Sequence, residues 1–125
     1  MIISRDEIDE KLQAIQLEIN QAFQANLDTA KLKNLSLKIL DLSGDIVTYL
    51  NSLDLLSPWV KSHIVGAINS LNWGWLYAAV NHLLLAICEL DEVSPGNVYR
   101  AEITNLNLDE IMDHIVSFKR NLEKM

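Results

Sequence analysis

Apolar residues recur at intervals of three or four through most of this chain, and this spacing restricts its fold more than any other feature. It places apolar side chains on one face of an α-helix, whereas a half-buried strand needs strict alternation. The first repeat consists of Ile8, Leu12, Ile15, Ile19 and Ala22. The 125 residues include only four glycines and two prolines, a scarcity that disfavours a sheet-rich fold with many tight turns. We therefore predict an all-α protein.

Residues that cap helix amino termini precede the apolar repeats. A serine, aspartate or asparagine at this position accepts a hydrogen bond from a backbone N–H that has no partner inside the helix. Proline also fits the first helical position, because its missing N–H would have no partner there. The predicted starts are Ser4 with Glu7 in a capping box, Asp28, Ser57 before Pro58, and Asn107 with Glu110.

Not every glycine or proline of this sequence is predicted to end a helix. The second repeat runs from Leu32 to Leu53 without a change of phase at Gly44, so we predict one long helix there. The segment Asn72–Gly74 indicates a turn before a fourth helix, and one helix running through Gly74 is the alternative. The segment Ser94–Asn97 is the clearest loop. Residues 98–106 are ambiguous between a loop and one or two helical turns.

The segment Trp73–Leu90 is apolar on most sides, which is typical of a helix buried at the centre of a protein. A membrane-spanning helix is the alternative, but Asn81 and His82 would then lie at the bilayer centre, where polar groups are costly. Short links between helices favour antiparallel neighbours. We therefore predict a soluble antiparallel helical bundle of four to five helices around this central apolar helix, formed as one domain over residues 1–125.

The charge of the chain disfavours several classes of partner. Its net charge is −7 and its pI is about 4.8, and no lysine or arginine occurs between Lys61 and Arg100. Because an acidic surface repels nucleic acids and anionic membranes, we expect neither as a partner. Such a surface favours a basic protein, although it also simply keeps a protein soluble. The acidic amino terminus and the single cysteine, Cys88, fit a cytoplasmic protein without disulfides.

The predicted fourth helix has sides of different character. One side of this helix places His82 between two alanines, and Trp75 and Glu89 lie at the two ends of that side. Small residues beside polar groups either let a second helix approach closely or line a cavity. In the first case a buried His82 has one hydrogen-bond partner, and in the second the ligand-binding residues are Trp75, Tyr77, His82 and Glu89. The apolar side, which predicts core, consists of Trp73, Leu76, Val80, Leu83, Ile87 and Leu90.

Catalytic and metal-binding patterns are weak throughout the sequence. The best metal candidate is the group Asp109, Glu110, Asp113 and His114, but acids in a first helical turn favour the helix dipole without any metal. Cys88 has apolar neighbours, which is typical of an inert buried thiol. We therefore expect no enzyme, no metal site and no cofactor.

The only three tryptophans, Trp59, Trp73 and Trp75, lie within one short stretch of chain. We interpret them first as core residues, second as a surface for a partner or for self-association, and third as a ligand box. The functional hypothesis is a non-catalytic protein-interaction module that forms a homodimer or masks a basic protein partner, like an antitoxin or immunity protein. Its predicted contacts are the tryptophans and Asp54. The alternative is a bundle that binds a small apolar ligand beside the fourth helix.

Overall fold

The computed structural model describes residues 3–53, 58–92 and 108–124, with side chains over 3–49, 61–87 and 109–124. These residues form five helices: α1 (Arg5–Gln24), α2 (Thr29–Leu53), α3 (Pro58–Asn72), α4 (Leu76–Glu92) and α5 (Leu108–Glu123). No strand occurs among them, so the predicted all-α helical bundle is confirmed. None of these helices is both long and apolar enough to cross a membrane.

The amino termini of α1 and α2 are capped as the sequence predicts. Oγ of Ser4 accepts a hydrogen bond from the backbone N–H of Glu7 at 3.1 Å, and the Ser4 hydroxyl donates to the Glu7 carboxylate at 3.2 Å. Oδ1 of Asp28 accepts from the backbone N–H three residues further along, at 2.8 Å. These bonds satisfy N–H groups that lack a partner in the first helical turn. The caps predicted at Ser57 and Asn107 lie outside the described residues.

The predicted helix breaks are also confirmed where the chain is described. α2 runs without interruption through Gly44. α3 and α4 are separate helices, which excludes the alternative of a single helix through Gly74. The predicted loop Ser94–Asn97 and the ambiguous segment 98–106 lie outside the described residues.

The chain passes from α3 to α4 through a Schellman motif. The backbone N–H of Trp75 donates to the carbonyl of Ser70 at 3.0 Å, and that of Gly74 donates to the carbonyl of Leu71 at 3.0 Å. Gly74 has a φ of +73°, a left-handed conformation that glycine adopts without a Cβ clash. The link between α1 and α2 also contains a left-handed residue, Asn26, with a φ of +77°, and asparagine is one of the few residues tolerated there.

Buried side chains from all five helices form one contiguous apolar cluster. Every residue of the first predicted repeat is buried in it. α2 buries a wider face than its repeat predicts, because Leu40 and Val47 are fully buried beside the predicted Ile39 and Ile46. This wider face fits the position of α2, which packs against each of the other four described helices.

Contacts along two helix pairs give their relative directions. Between α1 and α2, Lys11 pairs with Asp45 at 2.7 Å and Glu18 pairs with Lys38 at 2.6 Å. Residue numbers rise along α1 as they fall along α2, so these helices run in opposite directions. α3 and α4 form the most extensive helix contact, and the chain reverses direction at the link between them.

The surroundings of α4 differ in part from the prediction. One side is buried as predicted, with Leu76, Val80, Leu83 and Ile87 in the core. Another side is exposed, as Leu85 illustrates, so the described helices do not cover α4 all round. α4 contacts α1, α2 and α3, whereas α2 contacts all four of the other described helices.

The interpretation of the tryptophans as core residues is wrong for Trp73 and Trp75. Both belong to the link that precedes α4, and their side chains are 71% and 60% exposed. The physical reason is the Schellman motif, which ends α3 at Asn72. Residues of the link do not follow the helical period, so the spacing that places Leu76 in the core does not extend back to Trp73.

Candidate functional site

Four exposed aromatic residues lie at the end of the bundle where the α1–α2 and α3–α4 links meet. They are Phe23 in the last turn of α1, Trp73 and Trp75 in the α3–α4 link, and Tyr77 in the first turn of α4. We call this surface the aromatic end. Phe23 and Tyr77 are each 49% exposed, and the two tryptophans are more exposed still. Single exposed apolar residues are ordinary, but a cluster of large ones indicates a contact surface.

The four rings form two stacked pairs. The ring centroids of Trp73 and Trp75 lie 6.1 Å apart, and those of Phe23 and Tyr77 lie 4.9 Å apart. Both separations fall in the range that aromatic pairs prefer. The Tyr77 hydroxyl also donates a hydrogen bond of 2.7 Å to Oδ1 of Asn20 on α1. These contacts restrict the side chains before any partner binds, which lowers the entropy lost on binding.

A groove lies beside Trp73, between the first turns of α2, the α3–α4 link and the last turns of α5. Its volume is about 820 Å³ and its surface is mainly apolar. Lys33 is the one ionisable residue among the described residues that line it. The apolar surface comes from Leu32, Leu71, Trp73, Phe118 and Leu122.

Ion pairs occupy a different part of the bundle, along one face of α2. We call this face the charged seam. The hydrogen bond that Lys11 donates to Asp45 raises the pKa of Lys11 above its ordinary value of 10.5. The carboxylates of the seam therefore already have cationic partners within the chain. The seam consists of three pairs: Lys11 with Asp45, Lys38 with Glu18, and Lys119 with Asp41.

The residues predicted to bind a ligand face different helices. Tyr77 contacts α1 through Phe23 and Asn20. The ring of His82 lies instead against α3, next to Gly66. Trp75 belongs to the link, where it stacks on the neighbouring tryptophan, and the side chain of Glu89 lies outside the described residues.

The structure describes the side chains of only some of the residues predicted to contact a partner. Trp73 and Trp75 come together in the aromatic end. Trp59 belongs to α3, but its side chain lies outside the described residues, as does the whole of Asp54.

Comparisons of the chain with protein-family models, curated proteins and solved structures found no match. The chemistry of the surface is therefore what bears on its function. Among the described side chains, no group of three His, Cys, Asp or Glu residues is arranged to hold a metal ion. The metal candidates of α5, which the sequence assigns to a solvated face, are exposed: Asp109, Glu110, Asp113 and His114.

Sequence reasoning missed Phe23 and Asn20 as parts of the site. Phe23 follows Ala22 directly and therefore lies off the buried stripe of α1, which was the available signal. Phe118 and Leu122 continue the core stripe of α5 as predicted, but they are only partly buried and they line the groove. That they line a groove depends on how the ends of α2, α3 and α5 meet, which helical spacing does not specify.

Proposed function

We propose that this protein is a non-catalytic protein-interaction module, that its contact surface is the aromatic end, and that its partner is a second copy of the chain. The observation that carries this proposal is the exposure of Trp73 and Trp75, at 71% and 60%. Tryptophan and tyrosine are enriched among the residues that contribute most to binding between proteins. Two tryptophans this exposed are typical of a surface that a partner covers.

The size of the aromatic end fits an interface of moderate extent. Each of its side chains has on the order of 200 Å² of surface, and about half or more of it is exposed, which gives roughly 500 Å². Standard interfaces bury about 800 Å² on each partner. The margins of the groove beside Trp73 would supply the remainder.

The charge distribution favours a second copy over a basic protein. The residues of the aromatic end are uncharged, and the nearby ionisable groups have both signs, with Asp28 and Lys31 at the start of α2. The acidic residues of the charged seam are paired within the chain. Two copies with a net charge of −7 repel each other, but salt screens charges beyond about 8 Å at physiological ionic strength. An uncharged contact surface limits that repulsion.

Sedimentation velocity across the micromolar range tests this proposal. We expect the wild-type chain to form a dimer and a Trp73→Ser/Trp75→Ser variant to remain monomeric. Because both side chains are exposed, this variant should keep its helical content and its melting temperature. The matched control is Val116→Ser, which changes an exposed apolar residue on α5 outside the aromatic end and should still dimerise.

Two results would overturn the proposal. One is a wild-type chain that stays monomeric throughout the concentration range. The other is a dimer that persists in the tryptophan variant but is lost in the Val116 control, because this would place the interface elsewhere. A monomeric chain that binds a basic protein would favour the masking role over self-association.

The groove favours a second candidate function, which is the binding of a small apolar ligand. Its volume of about 820 Å³ falls within the range of roughly 300–1,000 Å³ that is usual for ligand sites. Native mass spectrometry of the freshly purified chain tests this candidate. A bound small molecule that is lost on Leu122→Arg substitution, at a partly buried residue of the groove, would support it, and a bare chain mass would count against it.

A further inference from the structure

One face of α4 remains largely exposed, and we call it the outer face. Tyr77, Leu84 and Leu85 are 49%, 38% and 47% exposed, Asn81 is also exposed, and Ala78 is partly buried. Each helical residue turns the chain by about 100°, so these five positions span about 120° of the helix surface, with Asn81 at the centre. The outer face is thus a band of apolar side chains around one amide.

The histidine of α4 does not belong to the outer face. Nδ1 of His82 lies 3.5 Å from Nδ1 of His63 on α3, and the two rings form a hydrogen-bonded contact within the chain. Gly66 on α3 leaves the space that the His82 ring occupies. The polar side chain of His82 is therefore directed at α3, away from solvent.

The outer face carries no acidic or basic residue. The sequence contains no lysine, arginine, aspartate or glutamate between Lys61 and Glu89, and the outer face lies within this interval. It therefore offers no carboxylate to a basic protein and no cation to an acidic one. An uncharged surface of this kind fits an equally uncharged surface, which a second copy of the chain supplies.

The outer face is continuous with the aromatic end, because Tyr77 belongs to both. The aromatic end exposes roughly 500 Å², whereas a standard interface buries about 800 Å² on each partner. Leu84 and Leu85 extend this apolar surface along α4. Together, the two surfaces approach the area that a stable dimer needs.

We propose that the outer faces of two copies pack against each other, with their α4 helices antiparallel about a twofold axis at Asn81. This inference rests on the proposed function, since it names the surfaces that the two copies bring together. In a twofold interface, each contact occurs twice with the roles of the copies exchanged. Residues equally far from the axis meet, so Tyr77 packs on Leu85 of the other copy and Leu84 packs on Ala78.

Asn81 suits a position on the axis. Its amide contains both donors and an acceptor, so two copies of the same side chain donate to each other across a twofold axis. In coiled coils, a single buried asparagine specifies the register and the number of helices. The same register brings the aromatic end of each copy beside the carboxyl-terminal half of α4 in the other.

Disulfide cross-linking tests the register directly. In a Cys88→Ala background, Asn81→Cys places one thiol of each copy at the axis. Helices packed 8–10 Å apart, with Cα atoms about 2.3 Å from each helix axis, bring these two Cα atoms to about 3.5–5.5 Å, and a disulfide needs about 4.4–6.8 Å. We expect mild oxidation to give a covalent dimer on a non-reducing gel. Val116→Cys in the same background, on exposed α5 surface, should stay uncross-linked.

A charge at the outer face gives a second test, which does not depend on the Cys88 substitution. Leu85→Arg should weaken dimerisation roughly 100-fold, because it places an unpaired charge in the interface twice. Val116→Arg is the matched control, since Val116 is 45% exposed and Leu85 is 47% exposed. The control should dimerise as the wild type does. Sedimentation velocity measures both variants, and both should keep their helical content.

The outcomes separate this inference from the proposed function. A wild-type dimer that is lost in the Trp73→Ser/Trp75→Ser variant supports the aromatic end as a contact surface. If Leu85→Arg then dimerises normally, or Asn81→Cys gives no covalent dimer, the antiparallel pairing of α4 is overturned and the proposed function stands. A wild-type chain that stays monomeric overturns both.

Discussion

The charged seam and the aromatic end differ in how far their side chains have partners within the chain or remain exposed to solvent. Along the seam, cations of α1, α2 and α5 already lie against carboxylates of the same chain. At the aromatic end, stacked rings remain largely exposed. Charged groups are well solvated by water, whereas burial of a large apolar side chain lowers the free energy of the protein. Contact with a partner would therefore lower the free energy more at the aromatic end than at the charged seam.

The two surfaces also differ in the size of the energies involved. An exposed ion pair contributes about 0–1 kcal/mol, because solvent and salt screen the charges. Full burial of one large apolar side chain contributes about 1.5–3 kcal/mol. The ion pairs of the seam join α1 and α5 to α2, whereas burial of the aromatic end would supply the free energy for the association that we propose.

The largest expected effect tests which side of α4 is covered. Leu83 is fully buried and its neighbour Leu84 is 38% exposed, so the same substitution should give different results. Leu83→Ala should lower the free energy of unfolding by about 2–5 kcal/mol, because it leaves a cavity in the core. Leu84→Ala should change it by about 0.5 kcal/mol or less. Urea denaturation measures both, and equal losses would contradict the exposed side described for α4.

A pair of glycines, one in each region, gives the next largest effects. Gly74→Ala should destabilise the chain by about 1–2 kcal/mol, because alanine is strained in a left-handed conformation. Gly44 lies on α2 beside the seam, and a Cβ there would meet Met112 at an ordinary contact distance of 3.9 Å. Gly44→Ala should therefore stabilise by about 0.5–1 kcal/mol, since alanine favours the helix.

Thermal denaturation measures the two glycine variants together. The melting temperature should fall for Gly74→Ala and rise for Gly44→Ala. A fall in both variants would mean that α5 packs against α2 more closely than the Met112 contact implies.

The smallest expected effect concerns Lys11 in the seam. Its pKa lies above the ordinary value of 10.5 because Asp45 accepts its hydrogen bond. A raised lysine pKa stabilises the folded state fully below pH 10.5, and this contribution disappears as the pH rises through the higher folded-state pKa. Lys11 is about half exposed, so we expect Lys11→Gln to cost less than about 1 kcal/mol near neutral pH.

The difference in unfolding free energy between wild type and Lys11→Gln, followed into strongly alkaline solution, checks this expectation. The difference should vanish at high pH. A double-mutant cycle with Asp45→Asn isolates the pair from other titrating groups. A difference that stays constant over the alkaline range would show that the pair does not contribute through its charge.

The helices could be predicted from the sequence because each depends on local information. The stripe from Ile8 to Ala22 and the caps at Ser4 and Asp28 act within a few residues of themselves, and all are as predicted. The environment of the tryptophans could not be predicted in the same way. It depends on whether Gly74 ends a helix or lies within one, and both readings fit the residue pattern.

The candidate site was predictable only in part for a related reason. Trp73 and Trp75 stand out by type, but their meeting with Phe23 and Tyr77 at one end requires α1 and α4 to lie side by side. The contact of His63 with His82 likewise requires two helices to run in opposite directions at a fixed register. Such long-range registers come from packing of the whole core, and a single sequence does not encode them in any short window.

The shortness of the α3–α4 link makes the aromatic end sensitive to insertions. Trp73 and Trp75 flank the glycine whose conformation ends α3. One residue inserted in this link would change the Schellman motif that ends α3, and with it the direction in which α4 leaves α3. Either α4 would lose its buried face or Trp75 would point elsewhere. A related chain that keeps every aromatic residue but has a link of different length would therefore lose this surface.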